Sequence, residues 1–252
     1  MKIIGFQSGH DVSYTILENG VPIIHEELER FTREKEPLGD GLEFALQRIP
    51  NEYLDNIKYF SFGNPGGRSG QWKDECGKNT PEQKMINLIK KNDGEFYTIG
   101  HHKSHAANAF FSSNFHESLI ITMDGGGTEE DGRVTTFTIW TGKDKKINEV
   151  EIIPIQNLNI GSFWSKCTKR IFGLSNGYPY GNQAGTVMGM ACIGNPDKYF
   201  DDFYNVLKGD YTLEYSKYKK LTEENEQNKF DIAAALQKAT EKITKETMTP
   251  FI

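Results

Sequence analysis

The stretch Leu119-Ile120-Ile121-Thr122-Met123-Asp124-Gly125-Gly126-Gly127-Thr128 decides the fold. Its apolar first half predicts a buried strand from Leu119 to Met123, and Asp124 followed by three glycines predicts a polar loop at the strand's end. Working outward, Arg133 to Trp140 reads as a second strand, Thr141-Gly142-Lys143 as a turn region and Val150 to Ile155 as a third strand. The same order stands at the start of the chain. Lys2 to Gln7 reads as a buried strand, Ser8-Gly9-His10-Asp11 as a short polar loop, and Val12 to Leu17 and Val21 to Glu27 as two further strands. Glu18-Asn19-Gly20 supplies a hairpin turn between those two. A pattern of strand, glycine-containing loop, strand, turn and strand that occurs twice predicts an internally duplicated fold.

Between the two occurrences, Gly41 to Ile49 and Pro81 to Lys91 read as helices, and Ile57 to Phe62 and Phe96 to Ile99 as strands. Strands alternating with helices predict an α/β sheet with parallel members. His101 to Ser112 reads as a helix that begins in a histidine cluster, and Ser162 to Phe172, Thr186 to Cys192, Asp197 to Leu207 and Phe230 to Thr247 as helices after the second pattern. Tyr211 to Lys229, polar and charged, reads as a solvated surface insertion.

Composition narrows the function classes. A chain of 252 residues with 12% aromatics is long enough for a substantial core and is not disordered, and its 25 glycines point to tight turns or to backbone that closes around a ligand. The net charge of −6 argues against a nucleic-acid surface. No apolar run reaches the roughly 18–20 residues of a bilayer span, and the opening Met1-Lys2-Ile3-Ile4-Gly5-Phe6 is too short for a signal-peptide core, so a soluble, cytoplasmic protein without membrane partners is expected. Three widely spaced cysteines, Cys76, Cys167 and Cys192, indicate neither a disulfide framework nor a thiolate zinc site.

The sharpest chemical feature is Gly100-His101-His102-Lys103-Ser104-His105. On a helix His101 and His105 project from one face, a turn apart, and can grip one metal ion; the bland alternative is a set of helix-initiating polar residues making local hydrogen bonds. Asp124 is the nearest carboxylate to complete the set. Two imidazoles and a carboxylate suit Fe(II), Zn(II) or Mn(II) with open positions for phosphate or substrate oxygens. Gly125, Gly126, Gly127 and Thr128 offer backbone N–H groups to a phosphate. His10, in the equivalent loop of the first repeat, is a candidate general base or anion ligand. Gly185 opens a second small-residue turn, Asn182 to Ala191, whose helix start could face an anion, with Met188 and Met190 expected in the core. The run Glu26 to Lys35 reads by itself as a solvated helix face.

Taken in order, Gly9-His10-Asp11-x-Ser13, Glu27-x-Glu29-Arg30-Phe31-Thr32-Arg33-x-Lys35, His101-His102-x-x-His105-Ala106-Ala107, Asp124-Gly125-x-Gly127, Gly161-Ser162-Phe163-Trp164 and Gly185-x-Val187-Met188-Gly189-Met190-Ala191 resemble the carbamoyltransferase family typified by nodulation U protein and antibiotic O-carbamoyltransferases. The resemblance runs over nearly the whole chain. It implies the duplicated actin, Hsp70 and sugar-kinase (ASKHA) fold, with mixed sheets flanked by helices and similarity to the tRNA threonylcarbamoyl-adenosine synthases. Residues 1–117 would form the first repeat, with the histidine cluster, and 118–252 the start of the second, with a helical insertion and an incomplete second half. A C-terminal adenylate-forming domain, in the same or another chain, would make carbamoyl-adenylate from carbamoyl phosphate and ATP. The part seen here would transfer the carbamoyl group to an acceptor hydroxyl on a sugar or antibiotic-like molecule, and alone would be incomplete and inactive.

By the same resemblance His101, His105 and Asp124 match iron ligands that hold a phosphate of the adenylate, Lys35 a phosphate-neutralising position, and His10 a residue beside the carbamoyl group. Two departures stand out: Thr128 lies where many members have Glu, with Glu129 one later, and Thr186 lies where they have Lys. Variable loops from Gly63 to Gly77 and Asn176 to Gln183, with Trp72, Tyr178 and Tyr180, would build the acceptor pocket. An actin-like ATPase or sugar kinase, and a non-catalytic anion-binding or nucleotide-binding subunit, are the competing functional readings.

Overall fold

The computed structural model describes residues 1–34, 37–63, 81–175, 183–209 and 212–252. In chain order the elements are β1 (Lys2–Gln7), β2 (Ser13–Glu18), β3 (Val21–Glu27), α1 (Glu29–Thr32), α2 (Gly41–Arg48), α3 (Asn51–Leu54), β4 (Ile57–Gly63), α4 (Pro81–Lys91), β5 (Glu95–Ile99), α5 (His101–Phe111), β6 (Glu117–Thr128), β7 (Val134–Lys143) and β8 (Lys146–Ile153). The helices α6 (Ile160–Arg170), α7 (Ala184–Ala191), α8 (Phe200–Leu207), α9 (Tyr215–Glu224) and α10 (Glu226–Met248) follow. Two compact units result: Met1–Ser104 with Gly127–Val134, and His105–Gly126 with Thr135–Ile252. Among the described residues no helix is long and apolar enough to cross a membrane.

In the first unit the strand order is β3-β2-β1-β4-β5. Strands β1 to β3 pair antiparallel, while β4 pairs parallel with β1 and β5 parallel with β4. Asn19 and Gly20 both take positive φ, 51° and 84°, which is the tight hairpin turn that Asn-Gly favours. Alternate residues of β1 and β2, Ile4, Phe6, Tyr14 and Ile16, are buried with Leu42 and Phe44 of α2 and Ile57, Phe60 and Phe62 of β4. Each such large apolar side chain contributes about 1.5–3 kcal/mol on burial. Helix α2 starts where the Asp40 carboxylate accepts the N–H groups of Leu42 and Glu43. The next residue, Gly41, lies so close to β1 that a Cβ there would sit 1.9 Å from the Gln7 carbonyl oxygen.

The second unit repeats the opening of the first. Its sheet has the order β6-β7-β8, and β7 pairs antiparallel with β8. The central strand β7 is covered on both faces. Phe137 and Ile139 pack with Phe163, Trp164 and Cys167 of α6, Phe203 of α8 and the alanine-rich face of α10; on the other face Trp140 packs with Ala106 and Phe110 of α5, and its indole N–H donates to Thr122 Oγ1 at 3.0 Å. The fold is thus α/β, with mixed strands flanked by helices and the three-strand opening used twice, as the actin-like expectation requires.

Four local expectations are corrected. Asp124 to Thr128 is not a loop: β6 runs on through it, and the turn falls at Glu129 to Arg133, where the Glu129 N–H donates to the Arg133 carbonyl and Gly132 takes φ 85°. Strand β7 likewise runs through Thr141-Gly142-Lys143, and the turn forms at Asp144, φ 53°. The stretch after Tyr211 is not a solvated insertion. Leu213 and Tyr218 enter the core of the second unit, because the charges of α9 pair along its outer face (Lys219 with Glu223, Lys220 with Glu224) and leave Tyr218 and Thr222, four apart, facing inward. Met188, expected in the core, is 50% exposed on α7, while Met190 packs at the core's edge.

Candidate metal and anion site

Helix α5 places the histidines. It begins directly after β5, with only Gly100 between them, and its first turn carries His101 and His102. His102 is fully buried. His101 is partly buried, and its ring occupies the space that Gly127 leaves: a Cβ at 127 would fall 1.9 Å from the ring's Cγ. This explains one of the three successive glycines in steric terms. His105 lies one helical turn after His101, as the spacing requires.

In the second unit His105 Nε2 stands 3.4 Å from Asp124 Oδ2. The other oxygen of Asp124, Oδ1, accepts the Gly126 N–H at 2.6 Å, and Gly126 takes φ 131°, a conformation that favours glycine. The carboxylate is therefore held by its own strand while its second oxygen meets an imidazole. An imidazole and a carboxylate at this separation form a donor pair that suits a divalent transition metal. The peptide of Asp124 is itself packed from behind by α6, where a Cβ on Gly161 would fall 2.2 Å from the Asp124 carbonyl carbon. Gly125 is exposed with open space around its α-carbon, and Thr128 is partly buried. Gly185 is exposed in the first turn of α7, also with open space beside it.

In the first unit His10 is about half exposed, and its Nδ1 is 2.6 Å from Asp11 Oδ2. The loop is shaped by Gly9 at φ 100° and Asp11 at φ 53°, and anchored by reciprocal backbone hydrogen bonds of 2.9 Å between Gly9 and Gly39. Beside it, Asp11, Val12, Glu27, Glu29 and Arg30 line a cleft of 230 Å³. Arg30 pairs with Glu27 at 2.8 Å and with Glu29 at 3.4 Å, and residues 30–34 are exposed, so the segment is the solvated face expected, with ion pairs along it. Lys35 and the loops bearing Trp72, Tyr178 and Tyr180 lie outside the described residues.

Two polar arrangements escaped the sequence reading. One supports the cleft: the Tyr14 hydroxyl donates to Glu26 at 2.9 Å, Arg48 Nε donates to the same carboxylate at 3.1 Å, and the Arg48 guanidinium lies 4.0 Å over the Phe31 ring. Arg48 holds the Glu26 carboxyl below its ordinary range despite partial burial, and burial together with Glu26 pushes the Tyr14 hydroxyl well above its own. The only signal was a β-strand glutamate facing a buried tyrosine; Arg48 lies 22 residues away in sequence. The other arrangement is at Glu129. Its carboxylate, 5% exposed, accepts the His102 N–H at 2.8 Å, and Glu130 accepts the Gly100 N–H at 3.2 Å.

The family model described as Carbamoyltransferase N-terminus matches residues 76–249. The chain belongs to this family. The matched span contains every histidine of α5, Asp124 with its glycines, Gly161 and Gly185. Among curated relatives, an uncharacterized protein of Methanocaldococcus jannaschii is 27% identical over 86% of this chain and 37% of its own length. Nodulation protein NolO of Bradyrhizobium diazoefficiens is 30% identical over 60% of this chain and 28% of its own length. The chain thus spans well under half of either relative. A solved ROK family glucokinase from Streptomyces griseus is similar at 10% identity and a TM-score of 0.42, covering 82% of this chain and 75% of its own.

Proposed function

We propose that the chain is the N-terminal, transferring part of an O-carbamoyltransferase. It would pass a carbamoyl group from carbamoyl-adenylate to an acceptor hydroxyl, with His101, His105 and Asp124 holding a divalent metal, Fe(II) before Zn(II) or Mn(II). The observation that carries the proposal is the approach of His105 to Asp124 inside a span that matches the carbamoyltransferase N-terminal family. When bound, the metal supplies positive charge for the phosphate of the departing AMP.

The chain's own residues then have distinct tasks. Backbone N–H groups of Gly125, Gly126, Gly127 and Thr128 donate to phosphate oxygens, and the exposed start of α7 at Gly185 adds a second anion-facing turn. Lys35 neutralises phosphate charge. His10, oriented by Asp11 at Nδ1, takes the proton of the acceptor hydroxyl as that oxygen bonds to the carbamoyl carbon. The bond from this carbon to the phosphate oxygen breaks, and AMP leaves with the electron pair. A carbamoyl carbon is a weak electrophile, so charge stabilisation on the leaving phosphate and deprotonation of the nucleophile are the two places where such residues lower the barrier.

ATP and carbamoyl phosphate would be joined by an adenylate-forming domain, in the same or another chain. The test is therefore run with the chain and that domain together. Carbamoyl-phosphate-dependent formation of AMP and of carbamoylated acceptor, abolished by His10→Ala, is the expected result. Formation of ADP from ATP without carbamoyl phosphate would overturn the proposal in favour of an actin-like ATPase or sugar kinase. Binding of both compounds without turnover would overturn it in favour of a non-catalytic anion-binding subunit.

A further inference from the structure

The N–H groups of a helix's first turn have no partners within the helix and must be met from outside. For α5 the partners are two consecutive carboxylates from the turn between β6 and β7. Glu129 accepts the His102 N–H at 2.8 Å, while Glu130 accepts the Gly100 N–H at 3.2 Å and the Lys103 ammonium at 3.0 Å. Glu129 is the buried member of the pair, at 5% exposure. It is also the fixed one: its N–H donates to the Arg133 carbonyl at 2.8 Å, and its carbonyl accepts the Gly132 N–H at 3.0 Å. Its second carboxylate oxygen lies 2.0 Å from where a Cβ on Gly100 would stand, so only glycine lets the carboxylate reach the helix start. Charged acceptors on helix-initiating N–H groups are among the stronger hydrogen bonds in proteins, and the helix dipole favours negative charge at this end.

We infer that Glu129 is a positioning residue that sets the axial placement of α5, and through it the aim of His101 and His105. The inference rests on the proposed reading of those histidines as metal ligands, and it adds a residue of a different kind. Glu129 touches neither substrate nor metal in this role; it acts through the helix. Glu129, directly after Thr128 at the end of β6, is the position from which this carboxylate caps α5.

Wild type, Glu129→Ala, Glu129→Gln and Glu130→Ala test the inference by two readouts: Co(II) titration followed by absorption spectroscopy, and amide hydrogen exchange over residues 100–105. Misplacing a group that orients metal ligands lowers affinity by about 10–100-fold. That loss is expected for Glu129→Ala, with an altered Co(II) spectrum and faster exchange at His102. Glu129→Gln, which keeps an acceptor oxygen, recovers part of both, and Glu130→Ala loses less than Glu129→Ala. Co(II) affinity and His102 exchange in Glu129→Ala indistinguishable from wild type would overturn the inference, as would a glutamine variant no better than alanine. If Glu129→Ala does not fold, Glu129→Gln carries the comparison: a weakened, spectrally shifted site supports the inference, and a wild-type site overturns it. If wild type itself takes up no Co(II), the metal reading fails separately; His102 exchange then decides, with lost protection supporting the positioning role and unchanged protection overturning it.

Discussion

Gly41 in the first unit and Gly161 in the second do the same job. Each lies at the start of a helix downstream of a three-strand opening, after an Asx cap, Asp40 or Asn159, and each presses against the backbone of the opening's first strand, at Gln7 or at Asp124. The exits from those strands differ. After Gln7 the chain leaves the sheet at once, through the positive-φ residues Gly9 and Asp11, and presents His10 on a short exposed loop. After Asp124 the strand continues to Thr128, with the Gly126 N–H on the Asp124 carboxylate and Gly127 against the His101 ring. The duplicated architecture therefore repeats how a helix docks on the strand and varies what the strand leads into: a short exposed histidine loop in one unit, a carboxylate-and-glycine strand edge in the other.

The largest effect expected from breaking this comparison is at the two docking glycines. Gly41→Ala and Gly161→Ala each force a Cβ into backbone that cannot yield locally, and each should cost about 3 kcal/mol, near the upper end for overpacking. Urea denaturation of both variants checks the equivalence; a loss in one and none in the other would break it. Next comes Gly127→Ala, which drives a Cβ into the His101 ring and should weaken Co(II) binding about 10–100-fold, read by calorimetric titration, with a smaller stability loss than at Gly161.

Smaller effects separate the units by their carboxylates. In the first, Arg48→Met removes the partner of Glu26, an exposed ion pair screened by solvent, and should lower the thermal midpoint at neutral pH only slightly. In the second, Asp231 is buried, which by itself raises its carboxyl, but the Asn195 N–H, Gln227 and Lys198 outweigh this and leave it below the ordinary range. A carboxyl depressed in the folded state stabilises above its unfolded value, about pH 4, and that contribution disappears as pH falls through the folded value. Asp231→Asn should therefore flatten the acid side of the stability–pH curve below about pH 4, as should Glu26→Gln, whose carboxyl is likewise held low in the folded state.

Much of the duplication was legible because it is written in turn chemistry. Asn19-Gly20 and the period-2 alternation of β1 and β2 act over a few residues, and the chain obeys them. The helix spacing of His101 and His105 is equally local. What escaped was set by distant partners. Arg48 meets Glu26 across 22 residues, and Glu129 meets His102 across 27. The α9 segment departs from its average polarity for a related reason: its charge count is high, but charge is confined to one face, and burial follows the spacing of Tyr218 and Thr222. Glycine's low strand propensity predicts a loop from Asp124 to Thr128; the packing of Gly127 on His101 and of Asp124 on Gly161 overrides that preference.

The central claim is that α5 and β6 together carry a divalent-metal site, and it is tested most directly by elemental analysis of the purified chain beside His101→Ala and His105→Ala. The expected result is divalent metal, iron foremost, bound by wild type and lost from both variants while their circular dichroism stays unchanged. Metal content unaffected by both substitutions would contradict the claim.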